Sequence, residues 1–141
     1  MVHALDEIRG ILIPGGTLLD LRPLGDSWSV EVVSSAGWQA VGRLSDQAAG
    51  LEDDEAANQA MREVEARSWF IQKKTEEFSF FYYWDTPSEM KEFIDNEWED
   101  FEKLDQALYR KAAAVWASSN ADAQMRVRVK MHIAVWEKGS A

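Results

Sequence analysis

From Met125 to Trp136 apolar and polar residues alternate almost without a break. Met125, Val127, Val129, Met131, Ile133 and Val135 fall on one side, and Arg126, Arg128, Lys130 and His132 begin the other. Successive strand side chains point to opposite faces, so the pattern predicts a strand over 125–136 with one face in a core and one charged.

A second strand is predicted over 77–84, where Phe78, Phe80, Tyr82 and Trp84 share one face while Phe81 and Tyr83 point the other way. Thr86-Pro87-Ser88-Glu89 follows it, a capping box with Pro at the first helical position. Met90, Phe93, Ile94, Trp98, Phe101, Leu104, Leu108, Ala112 and Trp116 then keep helical spacing almost to Ser118. That stretch reads as one long helix, or as two with a break near Asp105.

Towards the start, Ala4, Leu5, Ile8, Ile11 and Leu12 make one face of a short helix that stops before Pro14. Gly15 and Gly16 permit a sharp turn into a strand over 17–21, closed by Arg22-Pro23. Two strands, 28–33 and 38–44, joined through Ser34-Ser35-Ala36-Gly37, read as a hairpin. The acidic run Glu52-Asp53-Asp54-Glu55 is expected at the start of a helix of about twenty residues, where the macrodipole favours negative charge. Its inner face would carry Ala57, Ala60, Met61, Val64, Ser68 and Ile71. The expectation is an α/β or α+β fold in one domain, 1–141: a mixed, partly antiparallel sheet of about five strands packed by three to four helices.

Composition removes several chemistries. The 141 residues include no Cys, so disulfides, thiolate metal sites and cysteine nucleophiles are excluded. No apolar run approaches the ~20 residues of a membrane helix, and no secretory signal is visible, so a cytoplasmic location is the default expectation. A formal net charge of −10 repels nucleic acid and anionic lipid. Neither is therefore expected as a partner.

The ordered segments resemble a known family. Leu12-Ile13-Pro14-Gly15-Gly16-Thr17-Leu18-Leu19-Asp20 is similar to the helix-to-fifth-strand junction of class I S-adenosylmethionine-dependent methyltransferases, and Ala4-Leu5-Asp6-Glu7-Ile8-Arg9-Gly10 to the helix before it. FYYWDTPSEMKEFI, residues 81–94, resembles their sixth strand and following helix, and MRVRVKMHIAVWEK, residues 125–138, their final antiparallel strand. Residues 25–72 are longer than the family usually shows. The resemblance implies the C-terminal half of such an enzyme. The glycine-rich loop and ribose-binding acid of the donor site belong to the first half, and no G-x-G occurs here. No cofactor is then expected for the isolated chain, and S-adenosylmethionine only if a partner supplies the donor site. No catalytic role passes to the Pro-Gly-Gly, and no catalytic residue is assigned.

Four groups of residues are candidate sites. The aromatic strand either packs in a core or lines a pocket rimmed by Tyr82, Tyr83, Trp84 and Asp85. Arg126, Arg128 and Lys130, with His132, either form an anion site or pair across strands with acids such as Glu31 or Glu76. The acids at 52–55, and Glu97, Glu99, Asp100 and Glu102, read as solvated faces, without the spacing of a calcium loop. His3 and His132, far apart in sequence and without a carboxylate at ligand spacing, are not expected to share a metal or catalytic site. The expected function is a non-catalytic small-ligand-binding or interaction module. The alternatives are one subunit of a split methyltransferase and a stand-alone enzyme with an unrelated pocket on the aromatic strand. A homodimer is expected unless the hairpin covers the strand at 17–21, because that apolar strand would otherwise leave an open edge. The other candidate partner is a donor-binding chain.

Overall fold

The computed structural model describes residues 1–140. Its elements are α1 (Val2–Ile11), β1 (Thr17–Pro23), β2 (Ser29–Ser34), β3 (Gly37–Arg43), β4 (Ser45–Asp46), α2 (Ala48–Ala66), β5 (Phe70–Trp84), α3 (Pro87–Glu97), β6 (Glu102–Lys103), α4 (Gln106–Ala117) and β7 (Gln124–Lys138). The fold is mixed α+β, with four helices, a five-stranded and mostly antiparallel sheet, and a two-stranded sheet of β4 and β6.

β7 organises the large sheet. β1 pairs antiparallel with its second half, from Thr17↔Glu137 to Pro23↔Met131. β2 pairs antiparallel with its first half, from Ser29↔Arg128 to Val33↔Gln124, and β3 continues outward from β2. β5 also pairs with β7. Lys73, near the start of β5, lies 3.7 Å from Glu137, and Asp85, just past its end, accepts a 2.9 Å bond from Gln124. The two long strands therefore run in opposite directions. The hairpin does not cover β1, because β2 takes β7 as its neighbour.

The chain forms two compact units, and β5 and β7 contribute one part to each. The first contains Met1–Leu24, Glu52–Phe78 and the chain from Met131. Leu5, Ala60, Met61, Val64, Phe70, Ala134 and Trp136 make its core, with Val2, Ile8, Leu12, Leu18 and Trp69 packed against them. Ile11 departs from its expected place and is exposed. It is the last residue of α1, where the chain is already leaving for the Pro-Gly-Gly turn. Both glycines there are required: Gly15 has φ 73°, and a Cβ at Gly16 would stand 2.8 Å from the Ile13 carbonyl oxygen. Lys138 ties the turn to β7, its backbone N–H donating to Gly16 and its Nζ to the Leu12 carbonyl, each at 2.8 Å.

The second unit contains Gly25–Leu51 and Ser79–Lys130. Val30, Val32, Met125, Val127 and Val129 are buried on the sheet, and Met90, Ile94, Leu108 and Ala112 on the helices. The helical run is two helices, with Asp105 as the second N-cap accepting the Leu108 N–H at 2.8 Å. α3 starts where the capping box puts it. Thr86 Oγ1 accepts the Glu89 N–H at 3.2 Å, and the Glu89 carboxylate reaches back to the Asp85 N–H at 3.2 Å. Thr86→Ala is expected to cost about 1 kcal/mol through the lost cap, read as a lower denaturation midpoint at unchanged m-value.

Three further sequence expectations need correction. β5 begins at Phe70, seven residues before the expected start, so Ile71 lies on an exposed strand and not on the inner face of α2. Ser68 also lies beyond α2, which ends at Ala66. The helix in turn begins at Ala48, which leaves the acidic run inside it and no acid in its first turn. Glu102, expected on a solvated helix face, is instead buried on β6.

Candidate functional site

The cross-strand register puts Glu31 of β2 directly opposite Arg126 of β7. Two residues on, Arg128 lies on the same face, so one carboxylate meets two guanidinium groups. Arg126 Nε donates to Glu31 Oε1 at 2.6 Å, and Arg128 Nε donates to Oε2 at 3.0 Å. The Glu31 side chain is 1% exposed, that of Arg126 10% and that of Arg128 34%. Burial alone would raise the pKa of Glu31, but hydrogen bonds from Arg128, Arg126 and Ser29, with the Arg126 charge, hold it below its ordinary value of 4.5.

Aromatic rings complete the cluster. The Arg126 guanidinium lies 5.2 Å from the Trp38 ring centroid and 4.6 Å from that of Phe81, and the Arg128 group lies 5.0 and 4.8 Å from the same two. Contacts of this kind suit weakly hydrated guanidinium groups and contribute about 0.5–1 kcal/mol each at partly exposed sites. Lys130, next on this face, is 3.5 Å from Asp26. Of the two acids expected to pair with the basic stripe, Glu31 does so, whereas Glu76 meets Lys74 at 2.8 Å. Trp38 is not among the sequence candidates for a site. Its signal was present in the hairpin register, which sets it opposite Val33 on the face of Glu31.

The four aromatic-strand candidates divide between two faces. Tyr82 and Trp84 join Phe93 and Trp98 in one cluster, with ring centroids 5.0–6.2 Å apart, and Trp28 reaches Trp98 at 5.2 Å. Tyr83 lies instead beside Phe81, centroid to centroid 6.2 Å, and is exposed. Asp85 accepts its bond from Gln124 beyond the strand end. Tyr82 and Trp84 thus share their apolar surroundings with each other and not with Tyr83.

The two histidines stay apart, each beside its own carboxylate. His3 is 3.3 Å from Glu7, one helical turn on, in an exposed pair. In the first unit His132 is 4.0 Å from the buried Asp20, whose carboxylate takes two bonds from Arg22 at 2.7 and 3.0 Å, while Arg22 also donates to Asn58 at 3.0 Å. The sequence expectations pair neither carboxylate with a histidine, although Glu7 stands at the i,i+4 spacing that brings helix side chains together. Among the described residues no group of three or more His, Asp and Glu is placed to hold a metal ion. Among the described residues no helix is long and apolar enough to cross a membrane.

The outer strands expose apolar side chains. On β1, Leu19 is 60% and Leu21 55% exposed, and on β5 Ile71, Phe78, Phe80, Tyr82 and Tyr83 are exposed. Each of these strands pairs with β7 on one flank only. No family model, no curated protein and no solved structure matches the chain.

Proposed function

We propose that this chain is a non-catalytic, methyltransferase-related interaction module that works in the cytoplasm by associating with a second copy of itself. The observation that carries this reading is the exposure of Leu19 and Leu21 on a strand with one unpaired flank. Long apolar strand edges are templates for pairing, and proteins that stay monomeric blunt them with charge, Pro or cover. On β1 only Asp20 and Arg22 are charged, and they are bonded to each other on the opposite face from Leu19 and Leu21. The relationship to methyltransferases is supported by the quoted motifs and by one feature of the sheet. β7, the segment similar to the family's final antiparallel strand, runs antiparallel to both β1 and β5, the segments similar to its fifth and sixth strands.

Sedimentation equilibrium at micromolar concentration tests the reading. A concentration-dependent species of twice 16.0 kDa is expected, and a 16.0 kDa species at every concentration overturns it. The same open flank of β1 favours a second reading, a subunit completed by a donor-binding chain. Calorimetric titration of the isolated chain with S-adenosylmethionine is expected to show no stoichiometric heat at micromolar concentrations. Such a heat, appearing only after a donor-binding chain is added, would favour the second reading.

A further inference from the structure

The longest open flank belongs to β5. Fifteen residues at about 3.4 Å each give a strand of roughly 50 Å, and ten consecutive residues, from Ile71 to Phe80, are exposed. Exposure on both faces means that no helix covers this stretch, and β7 is its one strand neighbour. Its centre reads Lys73-Lys74-Thr75-Glu76-Glu77. The charges invert about Thr75: two positive, one neutral, two negative.

That inversion has a geometric consequence. When two copies of a strand pair antiparallel about a two-fold axis, residue i of one lies opposite residue 2c − i of the other, where c is the residue on the axis. With Thr75 on the axis, Lys74 opposes Glu76 of the other copy and Lys73 opposes its Glu77. All four charged positions of each copy then meet an opposite charge. Gln72 lies opposite Phe78 and Ile71 opposite Ser79, which brings exposed apolar groups under cover at both ends. A parallel, in-register pairing would set Lys on Lys and Glu on Glu. Directly opposed unlike charges stabilise an antiparallel pair, and like charges disfavour it.

We propose that β5 is the self-association strand: two copies join their sheets through β5 in an antiparallel, isologous pair centred on Thr75. This rests on the self-association proposed above but assigns it to β5, whose 15 residues leave a longer open flank than the 7 of β1, and not to β1 itself. Within one chain, Lys74 already reaches Glu76 at 2.8 Å and Lys73 reaches Glu137 at 3.7 Å. These are solvent-exposed pairs, which hold little energy and exchange readily. The pairing brings the open N–H and C=O groups of β5 together and closes the assembly at two copies, because the two-fold uses the same strand on both sides.

The absence of Cys gives a clean test. Thr75→Cys places two thiols opposite each other on the axis, so mild oxidation is expected to yield a covalent dimer in high yield. Leu19→Cys on β1 and Gln72→Cys, opposite Phe78 and off the axis, are expected to yield little. Lys74→Glu is expected to weaken the dimer at least about tenfold by sedimentation at low salt, since the two-fold makes the reversal count twice. The exchange variant Lys74→Glu/Glu76→Lys restores the charge match and is expected to recover the wild-type constant. All of the substituted positions are exposed, and circular dichroism verifies the fold of each variant. If the wild type is dimeric and the Leu19→Cys variant crosslinks while the Thr75→Cys variant does not, the β5 assignment is overturned and self-association stands. A dimer unmoved by the Lys74 and Glu76 variants would overturn the register. A wild type monomeric throughout would overturn self-association itself.

Discussion

Glu31→Gln is expected to lower the unfolding free energy by about 3 kcal/mol at neutral pH. One carboxylate holds two guanidinium groups, and removing its charge leaves Arg126 buried beside Arg128 with no counter-ion. Breaking a buried pair costs about 3–5 kcal/mol. The lower end applies because Arg128 is one-third exposed and water screens its share. The sign with pH follows from the lowered pKa of Glu31. A depressed carboxyl pKa contributes stability above the unfolded value, near 4.5, and loses it as pH falls through the folded value below that. The gap between wild type and Glu31→Gln should therefore be full at about pH 6–7 and close progressively below about pH 4.5. Chemical denaturation across that range measures it, and a gap independent of pH would mean the charge is not the stabilising element. Glu31→Leu combined with Arg126→Met and Arg128→Met removes all three charges at once. It is expected to recover most of the loss, since well-packed apolar replacements of buried ion clusters are often neutral or better.

Much of this fold was legible because its elements carry strong local signals. β7 showed itself through alternation, although its buried face changes along the strand, from Met125, Val127 and Val129 to Ala134 and Trp136, with Ile133 and Val135 only half-buried. α3 showed itself through Thr86-Pro87-Ser88-Glu89, and the break before α4 through Asp105. The misread join between α2 and β5 lacks such a signal. α2 ends in a Schellman arrangement: the Trp69 N–H bonds the Val64 carbonyl, the Ser68 N–H bonds that of Glu65, and Ser68 takes φ 59°. Glycine usually marks that left-handed position, and here serine occupies it. Helical spacing of apolar residues then continued by coincidence through Ser68 and Ile71. The site residues divided on similar grounds. That Arg126 and Arg128 would pair with a cross-strand acid could be anticipated from charge alone. Selecting Glu31 over Glu76 required the strand order, which places β2 beside the first half of β7. Trp38 needed the hairpin register as well.

Trp98→Ala is the second large effect, expected to cost the chain about 3–5 kcal/mol, as truncation of a buried aromatic residue does. Trp98 caps the C-terminus of α3, and its N–H bonds the Ile94 carbonyl, so its backbone position is fixed by the helix end. Its ring meets four others edge-on: Tyr82 at 5.0 Å, Trp28 at 5.2 Å, Phe93 at 5.4 Å and Trp84 at 6.1 Å. Such pairs contribute about 0.5–1.5 kcal/mol each beyond burial, although contributions within one cluster do not add independently. Losing the shared ring removes all four contacts together and leaves a cavity that the remaining rings cannot fill without leaving their rotamers. Trp98→Phe keeps an aromatic ring in the centre and should recover more than half of the loss. Near-ultraviolet circular dichroism supplies the independent readout, because coupled Trp and Tyr rings held in fixed geometry dominate that signal. The alanine variant should lose most of the signal under conditions where the far-ultraviolet spectrum is retained. A full near-ultraviolet signal in Trp98→Ala would show that Tyr82 and Trp84 are held by other contacts, and the aromatic strand would then owe its order to β7 and not to α3.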